Sequence, residues 1–122
     1  MPHTYTWESN GLYRNFTGVI SGEEILESNF ELQREPNFKC IDYIINDFRD
    51  VTGFEIKEAH TKAYAETDEI ASYTKGNLKV AIVVTQEPLI ALANNYREEM
   101  ISKKFECDIF KTLSDARKWI SA

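Results

Sequence analysis

Apolar positions along the chain recur at two spacings, every second residue and every third or fourth, and the order of these stretches predicts an architecture. Tyr5 and Trp7 alternate with Thr4, Thr6 and Glu8, the period of a half-buried strand. Asn10-Gly11 is a strong hairpin signal, and the return strand from Leu12 to Thr17 carries Leu12 and Phe16 on one face. Ser21 begins a helix and Glu24 completes a Ser-x-x-Glu capping box. Ile25, Leu26 and Phe30 form its apolar stripe, and Pro36-Asn37 ends it. A strand from Cys40 to Asp47 follows, then a polar turn through Gly53. The helical period resumes at Thr52 or Gly53 and continues to Tyr73, with Thr52 and Glu55 spaced as a second capping box. Lys75-Gly76-Asn77 closes that helix. Leu78 to Thr85, nearly continuous in apolar residues, has the composition of a central parallel strand. Thr85 then caps a third helix, in which Pro88 is tolerated because first-turn amides lack helical partners. Its buried stripe is Leu89, Leu92, Ala93, Tyr96 and Met100. A short strand, Glu106 to Phe110, precedes a last helix from Thr112, with Leu113, Ala116 and Ile120 on one side.

The resulting order, β-β-α-β-α-β-α-β-α, needs crossover connections. It predicts an α/β domain: a mostly parallel five-stranded sheet with an N-terminal antiparallel edge hairpin and about four helices. No linker, repeat or low-complexity segment divides residues 1–122, so a single domain is expected. With 43% hydrophobic and 12% aromatic residues the composition is that of a globular protein. The net charge of −6 offers no basic footprint for nucleic acid. Lys103-Lys104 reads instead as a complement to a helix C-terminus. No run approaches the roughly 20 apolar residues of a membrane span. The segment Met-Pro-His-Thr-Tyr-Thr-Trp-Glu lacks the basic and apolar regions of a signal peptide, so the expected address is cytoplasmic. Cys40 and Cys107 fall in predicted strands, where thiols act as small buried hydrophobes, and no disulfide is expected between them.

Candidate chemistry gathers where the strand from Cys40 meets the following helix. Asp47, Arg49 and Asp50 form a charged group at the expected carboxyl end of that strand, the place where open parallel sheets meet ligands. Arg49 is suited to an anionic ligand, and a buried Asp47 to a general base. Equally, the three form a solvated turn with an Asp-Arg pair. Thr52 is read both as a helix N-cap and as a regulatory hydroxyl, since a phosphate at a helix N-terminus is electrostatically favourable. His60 has Ala63 and Tyr64 at the positions where a second metal ligand belongs, so a helix-surface histidine is expected and no metal site. Glu66, Asp68 and Glu69 read as a solvated acidic run. Small residues on the predicted inner stripe of the second helix (Ile56, Ala59, Ala63, Ile70) permit close packing on the sheet or room for a ligand. Phosphate loops, nucleophile elbows and Cys-x-x-Cys pairs are missing from the sequence, and no cofactor is expected.

Several segments together resemble the SpoIIAA-like family, whose fold is shared with STAS and CRAL-TRIO domains. Gly18-Val19-Ile20-Ser21-Gly22-Glu23-Glu24 looks like the family's entry into its first helix, and Ile45-Asn46-Asp47 like its central acidic strand end. Lys79 to Val84 resembles the next strand, and Phe110 through Ala116 to Trp119-Ile120 the closing helix. The resemblance implies a noncatalytic domain that binds protein partners in anti-sigma-factor circuits or serves as a module of transporters and sensors. Some relatives carry a phosphorylatable Ser or Thr in an Asp-Ser-Ser-Gly-like turn. Asp50-Val51-Thr52-Gly53 is the counterpart here, with a tighter spacing to Asp47 and with Thr52 in the hydroxyl position. CRAL-TRIO relatives enclose lipophilic molecules, which in a chain of this length implies a partial groove.

Two functions are therefore expected as alternatives. One is a noncatalytic binding or regulatory domain engaging a protein partner or small apolar ligand near Asp47, Arg49, Asp50 and Thr52, with a homodimer left open. The other is a small enzyme using Asp47 or Asp50 as acid or base. The enzyme needs a second reactive group within reach, with Thr85, Gln86, Lys111 and Thr112 as the candidates.

Overall fold

The structure is a computed structural model that describes residues 3–122. Its elements follow in the order β1 (His3–Trp7), β2 (Gly11–Ser21), α1 (Gly22–Arg34), a 3-10 turn (Pro36–Cys40), β3 (Tyr43–Glu55), α2 (Glu58–Lys75), β4 (Leu78–Val83), α3 (Glu87–Glu99), β5 (Phe105–Phe110) and α4 (Leu113–Ser121). The strands lie side by side in sequence order. β1 runs antiparallel to β2, and every later neighbour is parallel, giving the expected α/β sheet with its edge hairpin.

All three crossovers step the same way across the sheet. Because such connections are almost always right-handed, this places α1, α2 and α3 on one face. Alternation along the strands supplies both layers. Leu12, Phe16, Ile44, Val80 and Ile82 pack with these three helices, while Ile45, Ala81 and Val83 pack with Ala116 of α4 on the opposite face. Local signals act as their chemistry requires. The Ser21 hydroxyl accepts from the Glu24 amide at 3.2 Å, and the Glu24 carboxylate accepts from the Ser21 amide at 3.1 Å. Gly76, at φ +85°, ends α2 in a conformation that L side chains rarely adopt. Leu89, Ala93, Tyr96 and Met100 are buried as the stripe of α3 predicts.

The segment after Asp47 differs from expectation. In place of a turn and helix start, β3 continues through Glu55, and α2 begins only at Glu58. β2 extends to Ser21 and provides a parallel backbone partner along this whole length. The register shifts twice, between Asn15 and Thr17 and between Gly18 and Val19, each time leaving an extra residue on β3. Thr52 is the unpaired residue of the second bulge, not a helix cap.

Three smaller corrections have equally local causes. Gln86, not Thr85, precedes α3, and its side chain bonds elsewhere. Cys40 lies exposed in the 3-10 turn, whereas Cys107 is in β5, and both thiols are free. The buried face of α2 is Thr61, Tyr64, Ala65 and Ser72, with Ala59 and Ile70 exposed. Among the described residues no helix is long and apolar enough to cross a membrane.

Candidate functional site

The sequence-predicted group lies along β3, where Arg49 bonds Asp47, Asp50 is held by Asn15 of β2, and Thr52 sits on the second bulge. Asp47 is 1% exposed and sits beneath neighbouring side chains on the α4 face of β3. Its carboxylate accepts from the Tyr13 hydroxyl at 2.5 Å, and from the Arg49 amide, Nε and Nη2 at 3.0, 3.0 and 2.8 Å. Burial alone raises a carboxyl pKa, but here the hydrogen bonds from Arg49 and Tyr13 outweigh it and hold Asp47 below the usual range. The Asp47 carboxylate in turn raises the Arg49 pKa. Asp50 is exposed and accepts from the Asn15 amide at 3.2 Å, and Thr52 is exposed on its bulge.

The four residues named as possible reactive partners do not converge on Asp47. Gln86 donates to the Val51 carbonyl at 2.5 Å, and Thr112 caps α4 by accepting from the Asp115 amide. Thr85 and Lys111 are exposed.

His60 belongs to the first turn of α2, not its middle. Its Nδ1 accepts from the Lys57 amide at 2.9 Å, and its ring covers Gly22 so closely that a Cβ there would collide with it. Among the described residues no cluster of His, Cys, Asp and Glu is placed to hold a metal ion.

A different site lies on the other face, between the sheet and α1, α2 and α3. Here the core encloses a cavity walled by apolar side chains including Ile25, Ile44, Val80, Ile82, Leu89 and Ala93. Its space to the surrounding atoms, mouth included, is about 820 Å³, and the part that admits the centre of a water molecule is about 90 Å³. Polar groups border it from five elements, among them Arg14 of β2, Asn29 of α1, Asn46 of β3, Asp68 of α2 and Tyr96 of α3.

Arg14 is 3% exposed because strand alternation turns it inward between Leu12 and Phe16. Its guanidinium stands 4.9 Å from the Phe16 ring centroid, and Phe16 stacks on Phe48 at 4.6 Å. Nε donates to Asn46 Oδ1 at 2.9 Å and Nη1 to the Ser28 hydroxyl at 2.8 Å. Burial lowers the Arg14 pKa.

Asp68 accepts from Gln33 Nε2 at 2.9 Å and from the Tyr96 hydroxyl at 2.5 Å. Burial pushes it up to about 6, against the opposing pull of Tyr96, Arg14 and Gln33. Asp68 is thus no part of a solvated acidic run, although its neighbour Glu69 does face outward and pairs with Lys103 at 2.8 Å.

None of the cavity's polar residues was singled out as a site in the sequence. The available signals were an arginine in the apolar register of a strand and the spacing Thr61, Tyr64, Asp68 and Ser72, a helix face made of polar side chains.

No family model matches the chain, and no curated protein matches it. Among solved structures, it is similar to an uncharacterised protein of the DUF3478 family with a SpoIIAA-like fold from Shewanella loihica PV-4. The identity is 18%, over 97% of this chain and 91% of that one, with a TM-score of 0.47.

Proposed function

We propose that the chain is a noncatalytic binding domain that seats a small apolar molecule in the cavity between the sheet and α1–α3. The observation that carries this reading is the cavity itself, with apolar walls and a few polar groups entering from separate elements, the usual composition of a small-molecule site. The bonding of Asp47 favours a binding role over acid-base chemistry there. Both of its oxygens are taken by Tyr13 and Arg49, which leaves its carboxylate a poor base. A partner-binding or phosphorylated role for Asp50 and Thr52 keeps one support, their exposure on the bulged part of β3.

Thermal unfolding in the presence of 1-hexanol tests the cavity reading. A molecule that binds only the folded state stabilises it by RT ln(1 + [L]/Kd), about 1.4 kcal/mol at tenfold excess over Kd. The unfolding midpoint is expected to rise saturably by about 5 °C. A midpoint that only falls as hexanol is added, the behaviour of a weak denaturant, contradicts the reading.

A further inference from the structure

The polar end of the cavity is built around a buried guanidinium, that of Arg14. A guanidinium carries five N–H groups, and the bonds to Asn46 and Ser28 use one on Nε and one on Nη1. The Tyr5 hydroxyl, itself bonded to Ser28, also stands by the guanidinium, and the Asp68 carboxylate in the same cavity attracts it, but among the described residues no ion pair includes Arg14. Asn29 is 7% exposed and lines the same space. It follows Ser28, the acceptor of Arg14, directly in α1.

Asp68 attracts this buried cation from across the cavity without pairing with it, and a carboxylate is the group whose two oxygens match the spacing of guanidinium N–H donors. Resting on the cavity-binding reading above, we infer that the ligand is a small monocarboxylate, with its carboxylate against Arg14 and Asn29 and its hydrocarbon against the apolar walls.

The cavity's size limits the hydrocarbon. A space of about 90 Å³ for water centres suits a chain of a few carbons or a single ring, not a long acyl chain. Asp68 shares the cavity, and its oxygens already accept from Gln33 and Tyr96. Because burial has raised it to about 6, at that pH it is near half-protonated and opposes an incoming anion less than a fully ionised aspartate does. Tyr96 and Tyr64, the other titratable groups lining the cavity, are raised by burial and stay neutral.

The experiment compares hexanoate with 1-hexanol by calorimetric titration at pH 6, using the wild type, Arg14→Met and Asn46→Asp. Wild type is expected to bind hexanoate about tenfold or more tightly than hexanol. Arg14→Met, which replaces a buried charge by an apolar side chain of similar length, is expected to reverse that preference. Asn46→Asp puts a carboxylate on Arg14 Nε within the protein, so it is expected to lower hexanoate affinity by a larger factor than hexanol affinity. It serves as the test if Arg14→Met does not fold. Equal binding of the two probes by wild type, or undiminished hexanoate binding by the variants, overturns the carboxylate inference and leaves the cavity reading standing. Binding of neither probe overturns both.

Discussion

Asp47→Ala is expected to lower stability at pH 7 by about 3 kcal/mol, the low end of what breaking a buried ion pair costs. The low end applies because Arg49, with its side chain 39% exposed, returns to water once released, while Tyr13 is only partly covered. Denaturant unfolding measures the loss. Its pH dependence identifies the cause. The folded pKa of Asp47 lies below its ordinary value of 3.8, so the unfolded chain binds its proton first as the pH falls. The stabilisation is therefore complete above the unfolded pKa and disappears as the pH drops through the folded one. The gap between wild type and variant should close below pH 4. A gap unchanged at pH 3 contradicts an ionic origin. Binding of hexanol is expected to survive in Asp47→Ala at neutral pH, since Asp47 belongs to the α4 face and the cavity to the other.

Asp68→Asn should move stability in the opposite direction. Asp68 is raised from 3.8 to about 6, so between these values the folded state holds a proton that the unfolded state has released. Stability contributed by the protonated form is complete below pH 3.8 and is lost as the pH rises through 6. The rise from 3.8 to about 6 corresponds to about 3 kcal/mol, reduced to about 2 kcal/mol here because Asp68, though its carboxylate is covered, keeps part of its surface in water. Asparagine can still accept from Tyr96 and carries no charge to desolvate. Denaturant unfolding should therefore find Asp68→Asn more stable than wild type by about 2 kcal/mol at pH 8, with no difference at pH 4. Equal stability at pH 8 would show that Asp68 ionises without penalty. The two variants together give opposite pH slopes from two aspartates, one bonded tightly to an arginine and one held in an apolar cavity.

Where a segment's local pattern agreed with its tertiary role, the sequence was a reliable guide. Ser21 and Glu24 cap α1, the apolar run from Leu78 forms the central strand, and the stripe of α3 faces inward. β3 misled because its two bulges interrupt the two-residue period. Its apolar residues Phe48, Val51 and Phe54 recur every third position and imitate a helix, while Asn, Asp, Thr and Gly between them imitate a turn. No local feature announces that β2 runs on to Ser21 and pairs with them. The strand order also runs monotonically across the sheet, so the parallel strands contain no reversal of the kind that opens a ligand crevice at their carboxyl ends.

α2 misled for a related reason. Apolar spacing points to Ile56, Ala59, Ala63 and Ile70, and Ile56, just ahead of the helix, does pack on the core. The buried residues of α2 itself, however, are Thr61, Tyr64, Ala65 and Ser72, with Asp68 at the cavity beside them. The hydroxyls of Thr61, Tyr64 and Ser72 are satisfied by backbone carbonyls, at 2.7 Å to Glu58, 2.7 Å to Gly22 and 2.6 Å to Glu69. Polar side chains can thus occupy a buried face without becoming orphans. The same inversion hid the cavity, since Arg14 and Asp68 are residue types assigned to the surface by default.

The binding reading is tested most directly by a methyl NMR titration of wild type and Ala93→Leu with 1-hexanol. Ala93 is 9% exposed and lines the cavity, so leucine there fills space that a ligand needs. In wild type, saturable shifts are expected at Ile44, Val80, Ile82 and Leu89, and Ala93→Leu is expected to abolish them. Shifts confined to the exposed Val19, Ile70 and Ile101, or an Ala93→Leu variant that titrates like wild type, would contradict a ligand seat between the sheet and α1–α3.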